Sequence, residues 1–198
     1  MSASDPLVLG FDTSAAHCAA ALLSGDRLIA ARAEEMGRGQ AERLMPMLEE
    51  MLAEAGVGWS DLDVLGVGTG PGNFTGLRIA VAAARGLALA LDVPAVGVSG
   101  FEVIHSATDG PHLAVIPAPQ GRVYAEAPGQ APILLSAGEA EATGLPPAAL
   151  PAPAALAEAI ARLAAARGGA SDPPAPLYLR PPDAAPAREA PPVILDDA

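Results

Sequence analysis

The sequence predicts an α/β fold in two lobes of unequal character, and three observations carry that reading. Over the first hundred residues, apolar runs of strand length alternate with helix-periodic segments, the pattern of helices layered on a sheet. Proline is unevenly spread: of 21 in all, only Pro6, Pro46, Pro71 and Pro94 fall in the first hundred residues, whereas glycine runs the other way, 14 before and 7 after. Proline fixes φ and removes a backbone donor, so the second half cannot be built of long helices or central strands. Finally, 198 residues is a length between one and two ordinary domains. Hydrophobic residues make up 51% but aromatics only 3%, with 46 alanines, so the core is expected to be thin and close-packed.

Leu7–Asp12 reads as a buried strand that stops at Thr13-Ser14, where short polar side chains favour a turn. Apolar runs follow at Cys18–Leu23 and Leu28–Ala33, joined by Ser24-Gly25-Asp26, a hairpin signal. A three-stranded antiparallel unit is therefore expected, with Asp12 and Thr13 in its first turn. Over Gln40–Ala55, Ala41, Leu44, Met45, Leu48, Met51, Leu52 and Ala55 keep the spacing of one helical face, and Gly56 is a suitable stop. Pro46 predicts a kink in this helix.

A short strand at Leu62–Val67 precedes the glycine-rich segment Gly68–Gly76, and a helix apolar almost all round follows from Thr75 to Leu91, its only charges being Arg78 and Arg85. A helix apolar on all faces must be buried on all faces. One sheet can cover one side of it; together with Met45, Met47 and Met51, the other side points to contact with another chain. Asp92-Val93-Pro94 ends this helix, a strand is expected at Ala95–Val98, and a short helix at Gly100–Ala107. Further strands are read at Leu113–Ile116, Arg122–Ala125 and Pro132–Leu135, and a helix at Ala154–Ala166. Beyond Ser171 the chain is expected to be extended or disordered, with Leu177-Tyr178-Leu179-Arg180 as an anchor. No internal repeat of fixed period is visible.

Composition excludes several kinds of chemistry. The net charge of −12 weighs against a broad contact with nucleic-acid phosphates. No apolar run reaches about 18 residues without interruption and no secretory signal is visible, so a cytoplasmic protein without membrane contact is expected. Cys18, the single cysteine, reads as a small buried hydrophobe. His17, His105 and His112 contain no pair at metal-ligand spacing, so no metal site is expected. The glycine segment suits an anion cradle ahead of a helix. Yet Leu77-Arg78 replaces the Lys-Ser/Thr that ends a phosphate loop, and neither Gly68 nor Gly70 starts a dinucleotide fingerprint. A tight strand-to-helix turn accounts for the same glycines. Asp12 and Thr13, with Gly70 and Gly72, are the candidate nucleotide contacts; they suit a strand-end turn equally.

Three stretches, Leu9–Ser14, Gln40–Pro46 and Gly68–Ile79, in that order and spacing, resemble the TsaB family, a bacterial component of the machinery that makes threonylcarbamoyladenosine in tRNA. The resemblance covers roughly residues 7–104. It implies an actin-like, Hsp70-like (ASKHA) two-lobed α/β fold, with an N-terminal lobe over 1–104, a reduced C-terminal lobe over 105–170 and a Pro/Ala-rich tail over 171–198. It further implies a non-catalytic subunit that needs no cofactor. The transfer itself belongs to TsaD, whose metal is held by a His-x-x-x-His pair; here Gln40 and Leu44 stand in that stretch. The two helices after the first hairpin would dock on TsaD, or on a second copy when TsaD is missing, and the ATPase TsaE would join the assembly, with tRNA met only through the complex. Leu44, Met45, Leu48, Met51, Leu52, Ile79, Ala80, Ala83, Ala84 and Leu87 are the interface residues this implies, and any nucleotide contact at Asp12, Thr13, Gly70 and Gly72 would be vestigial. On this reading a charge at Ala83 or Leu48 breaks the complex while Asp12→Ala does little. The competing reading is an actin-fold kinase or ATPase using the same four residues. The chain departs from the family at Pro117–Arg122, where an Asp-Ala-Arg-like stretch is usual.

Overall fold

The computed structural model describes residues 5–168 and 172–179. Three strands open the chain, β1 (Leu7–Asp12), β2 (His17–Ser24) and β3 (Arg27–Glu35), followed by α1 (Gln40–Ala55), β4 (Val64–Gly68), α2 (Phe74–Leu91), β5 (Ala95–Val98) and α3 (Gly100–Ala107). The second part holds β6 (Leu113–Ala118), β7 (Arg122–Glu126), β8 (Ile133–Ser136), α4 (Ala137–Ala142), β9 (Pro147–Ala149) and α5 (Pro153–Arg167).

The first sheet has the order β3-β2-β1-β4-β5, antiparallel from β3 to β1 and parallel from β1 to β5. β1, β2 and β4 are buried on both faces, which is why they read as nearly continuous apolar runs, whereas the edge strand β3 has no buried residue. Leu9, Phe11, Cys18, Ala20, Leu22, Leu65 and Val67 point toward α1 and α2. Their alternates Val8, Leu23 and Val64 point toward α5, as does Ala21, against which Ala157 packs. Two glycines set the depth of α5. A Cβ at Gly10 would lie 2.6 Å from the Ala157 carbonyl oxygen, and one at Gly66 would lie 2.9 Å from the Ala164 Cβ. Ala157, Ala161 and Ala164 are wholly buried there. Much of the chain's alanine thus serves a helix lying almost on the sheet backbone.

The second sheet has the order β8-β7-β6-β9, with β6, β7 and β8 antiparallel and β9 parallel to β6. Three antiparallel strands, a helix, then a strand parallel to the first is also the path of β1, β2, β3, α1 and β4. The repeat that the sequence does not display is therefore present in the topology, and the fold is the two-lobed actin-like α/β plan with a shortened second lobe. The helices cross between lobes: α3 follows the first sheet but sets Phe101 and Ile104 among Ala114, Ile116 and Tyr124 of the second, while α5 follows the second sheet and covers the first. A lobe boundary at residue 104 with α5 assigned to the C-terminal lobe is therefore corrected by the packing.

Other expectations change. α1 runs unbroken through Pro46, so the expected kink is not seen as a break. The fourth strand starts at Val64, after a short turn at Trp59–Asp61. α4 and β9 were not read from the sequence. α2 is not enclosed on every side: only Gly76, Leu77, Ala80, Val81 and Ala84 of its eighteen residues are buried. By length and composition α2 could cross a membrane, but those five residues seat it on its own sheet. Of the anchoring tetrapeptide, Leu177 donates its N–H to the Thr69 carbonyl at 2.8 Å; Arg180 lies outside the described residues.

Candidate functional site

The β1 turn and the glycine loop lock together. Asp12, 2% exposed, accepts at Oδ1 from the Ser14 N–H at 2.9 Å and the Ser14 hydroxyl at 2.8 Å, and bonds His17 Nε2 at 2.8 Å. The Thr13 hydroxyl donates to the Gly76 carbonyl at 2.7 Å. From the loop, the Asn73 N–H returns to the Ser14 carbonyl at 2.6 Å, and the Asn73 side chain caps α2 by accepting from the Gly76 N–H at 2.9 Å. Gly70 has φ +94°, which glycine adopts without strain, and its carbonyl accepts from the first residue of α3, Gly100, at 2.8 Å. A Cβ at Gly72 would collide with the Ser14 carbonyl oxygen.

The glycines therefore permit backbone-to-backbone packing of the loop on the first turn. Asp12, Thr13, Gly70 and Gly72 do converge, but the two side chains bind the protein itself and Gly72 is pressed against Ser14. This favours the strand-to-helix turn over the phosphate cradle. The cleft between the lobes, about 430 Å³, is bordered by Ser14, Gln40, Asn73, Pro117, Tyr124 and Leu150 among others, and no charged side chain is among its described lining residues. A polyphosphate has no cation or metal-holding carboxylate to meet there.

At the first turn of α1, where the resemblance places metal ligands in TsaD, the Gln40 amide donates to the Met36 carbonyl at 3.2 Å and Leu44 is in the core. No group of three or more His, Cys, Asp or Glu able to hold a metal occurs among the described residues. Cys18 is buried as expected; burial first, then the Glu34 carboxylate, push its thiol up to about 11.

The ten interface candidates divide. Leu44, Leu48, Met51, Leu52, Ala80 and Ala84 are buried in the protein's own core, so their assignment to a partner-facing surface is corrected: they hold α1 and α2 to the first sheet. Met45, Ile79, Ala83 and Leu87 are half-buried at the edge of that core. The outer face of α2 consists of Arg78, Ala82, Arg85, Gly86, Leu89 and Ala90, with Leu89 87% exposed. Gly86 was read from the sequence as small enough for close helix approach, but Ala82 and Leu89 were missed; the signal that could have found them is the pair Arg78 and Arg85, seven residues apart and both exposed, which marks the outer face of an otherwise apolar helix. Near its N-terminus α2 is clamped by the C-terminal segment: Arg78 lies 3.8 Å above the Phe74 ring and donates to the Tyr178 hydroxyl at 3.0 Å.

Residues 33–134, just over half of the chain, match the family model described as TsaD: tRNA N6-adenosine threonylcarbamoyltransferase. The tRNA threonylcarbamoyladenosine biosynthesis protein TsaB of Escherichia coli is 38% identical over 92 residues, 46% of this chain and 39% of that protein. Its Haemophilus influenzae counterpart is 35% identical over 124 residues, 59% and 51% of the two chains. The chain thus spans about half the length, or less, of these curated relatives. A Pseudomonas aeruginosa crystal structure, described as an uncharacterized protein with similarity to peptidase YeaZ, superposes with a TM-score of 0.72 at 30% identity, covering 88% of this chain and all of that one. The signature loop, the two-lobed plan and these matches agree: the chain belongs to the TsaB (YeaZ) family, within the wider group described by the TsaD model.

Proposed function

We propose that this chain is a non-catalytic subunit of the machinery that makes tRNA N6-threonylcarbamoyladenosine, docking on the catalytic subunit TsaD through the outer faces of α1 and α2. The observation that carries this reading is the face of α2 turned away from its own sheet, where Leu89 is 87% exposed beside Ala82, Gly86 and Ala90. Met45, Ile79, Ala83 and Leu87 continue it toward α1. On this reading TsaD, which the family resemblance implies, is the partner, a second copy takes its place when TsaD is lacking, and TsaE and tRNA are reached through the assembled complex in the cytoplasm. The names of the curated relatives support the pathway, and the engagement of Asp12 and Thr13 within the protein supports a subunit over an ATPase.

The test is co-purification of TsaD with Leu89→Glu and with Ala83→Glu. Burying a leucine contributes about 1.5–3 kcal/mol, and each 1.4 kcal/mol is about tenfold in affinity, so Leu89→Glu is expected to weaken the complex at least tenfold while leaving the melting temperature of the isolated chain unchanged. Undiminished binding by both variants would refute the docking face. Titration calorimetry of the isolated chain with ATP and Mg²⁺ separates the enzyme reading: no heat of tight binding is expected.

A further inference from the structure

At the end of α3 away from the glycine loop, two histidines and a glutamate form a chain that neither the loop nor the docking face uses. His105 Nδ1, in the last turn of α3, lies 2.8 Å from His112 Nε2 in the loop before β6. His105 Nε2 lies 2.9 Å from Glu126 Oε1 at the end of β7, and His112 Nδ1 lies 2.8 Å from the Gly110 carbonyl oxygen. His112 is buried, and the His105 and Glu126 side chains are largely so.

The acceptor at each end fixes the number of protons. A carbonyl oxygen only accepts, so His112 Nδ1 bears a hydrogen. One more hydrogen lies between the two rings and another between His105 and Glu126, since two facing lone pairs do not bond. The chain therefore holds three protons, one more than two neutral imidazoles beside an ionised carboxylate. The count is the same whether the additional proton sits on His112, His105 or Glu126.

We propose that this chain is a proton-dependent clasp between α3 and the second sheet. With the third proton bound, all three hydrogen bonds are made; when it passes to solvent as the pH rises, two lone pairs face one another at one junction and one of the three hydrogen bonds is lost. Imidazole is the side chain whose charge changes in the neutral range. The folded state binds one proton more than its separated parts, so the clasp's contribution is present at lower pH and lost as pH rises. Its ionisable neighbours have other partners: Glu102, one turn back on α3, bonds the Ser99 amide and Arg167 of α5, and Asp109 stands exposed in the intervening loop. Because α3 begins on the Gly70 carbonyl and packs in the core of the second sheet, the clasp acts on the seam between the lobes.

Glu126→Gln tests this directly. The glutamine amide can donate to His105 Nε2, which completes all three bonds with both imidazoles neutral and nothing left to titrate. Thermal midpoints of the full chain and of Glu126→Gln are measured at pH 6 and pH 9. The wild type is expected to lose about 2–4 °C more than the variant between the two pH values, the shift that one hydrogen bond gives in a chain of this size. ¹H NMR of the ¹⁵N- and ¹³C-labelled wild type should count three hydrogen-bonded protons along the chain, on nitrogen or on the Glu126 carboxyl, at pH 6 and two at pH 9. Parallel melting of the two proteins, or only two protons at pH 6, overturns the clasp; the proton count stands alone if the variant does not fold.

Discussion

Removing the Asp12 carboxylate takes the partner from two buried donors of Ser14 and from the ring of His17 at once. An unsatisfied buried donor costs about 1–3 kcal/mol, so Asp12→Ala is expected to lose about 2–4 kcal/mol in urea unfolding, whereas Asp12→Asn, which keeps an acceptor oxygen, should lose less. The expectation that Asp12→Ala does little concerned the complex with TsaD on the subunit reading and not stability; nothing in a strand-end Asp-Thr-Ser reveals that all three side chains turn inward. The same environment disarms Cys18. With its thiol held up to about 11 by burial, it is protonated at pH 8, and a thiol reagent should label it at the rate the protein unfolds.

Elements were legible where burial imposes a period or a run. α1 shows one apolar face and one acidic face, and β1, β2 and β4, buried on both sides, read as apolar runs. α4 has no buried residue and β9 spans only three residues, so neither carries a pattern. The contact of α5 with Gly10 and Gly66 was equally hidden, since an alanine-rich helix does not state what it lies on. Gly66→Ala should force α5 from the sheet and cost about 1–3 kcal/mol of overpacking, read as a lower unfolding midpoint. Between α1 and β3, Arg43 pairs with Glu34 and Glu50, and Arg32 with Glu50 and Glu54. Hydrogen bonds from Arg43 hold the Glu34 and Glu50 carboxyls below their ordinary range. Depressed carboxylates stabilise at neutral pH and lose that contribution as pH falls. Arg43→Gln should therefore move the acid-unfolding midpoint to higher pH at low salt and hardly at all at high salt, because these groups are exposed and screened.

At the scale of the molecule, the uneven proline marked a real difference between a five-stranded and a four-stranded lobe, but not where they divide, because α3 and α5 each cross to the other sheet. A docking surface was expected from the apolar helix, and six of the ten residues chosen for it lie in the chain's own core. A pair of variants separates the two roles. Leu48→Glu, at a wholly buried position, should unfold the chain; Leu89→Glu should leave it folded and alone. The most direct measurement of the account is the affinity of folded Leu89→Glu for TsaD beside that of the wild type, by titration of purified proteins. At least tenfold weaker binding with an unchanged melting temperature is the predicted result, and wild-type affinity with Glu at position 89 would contradict it.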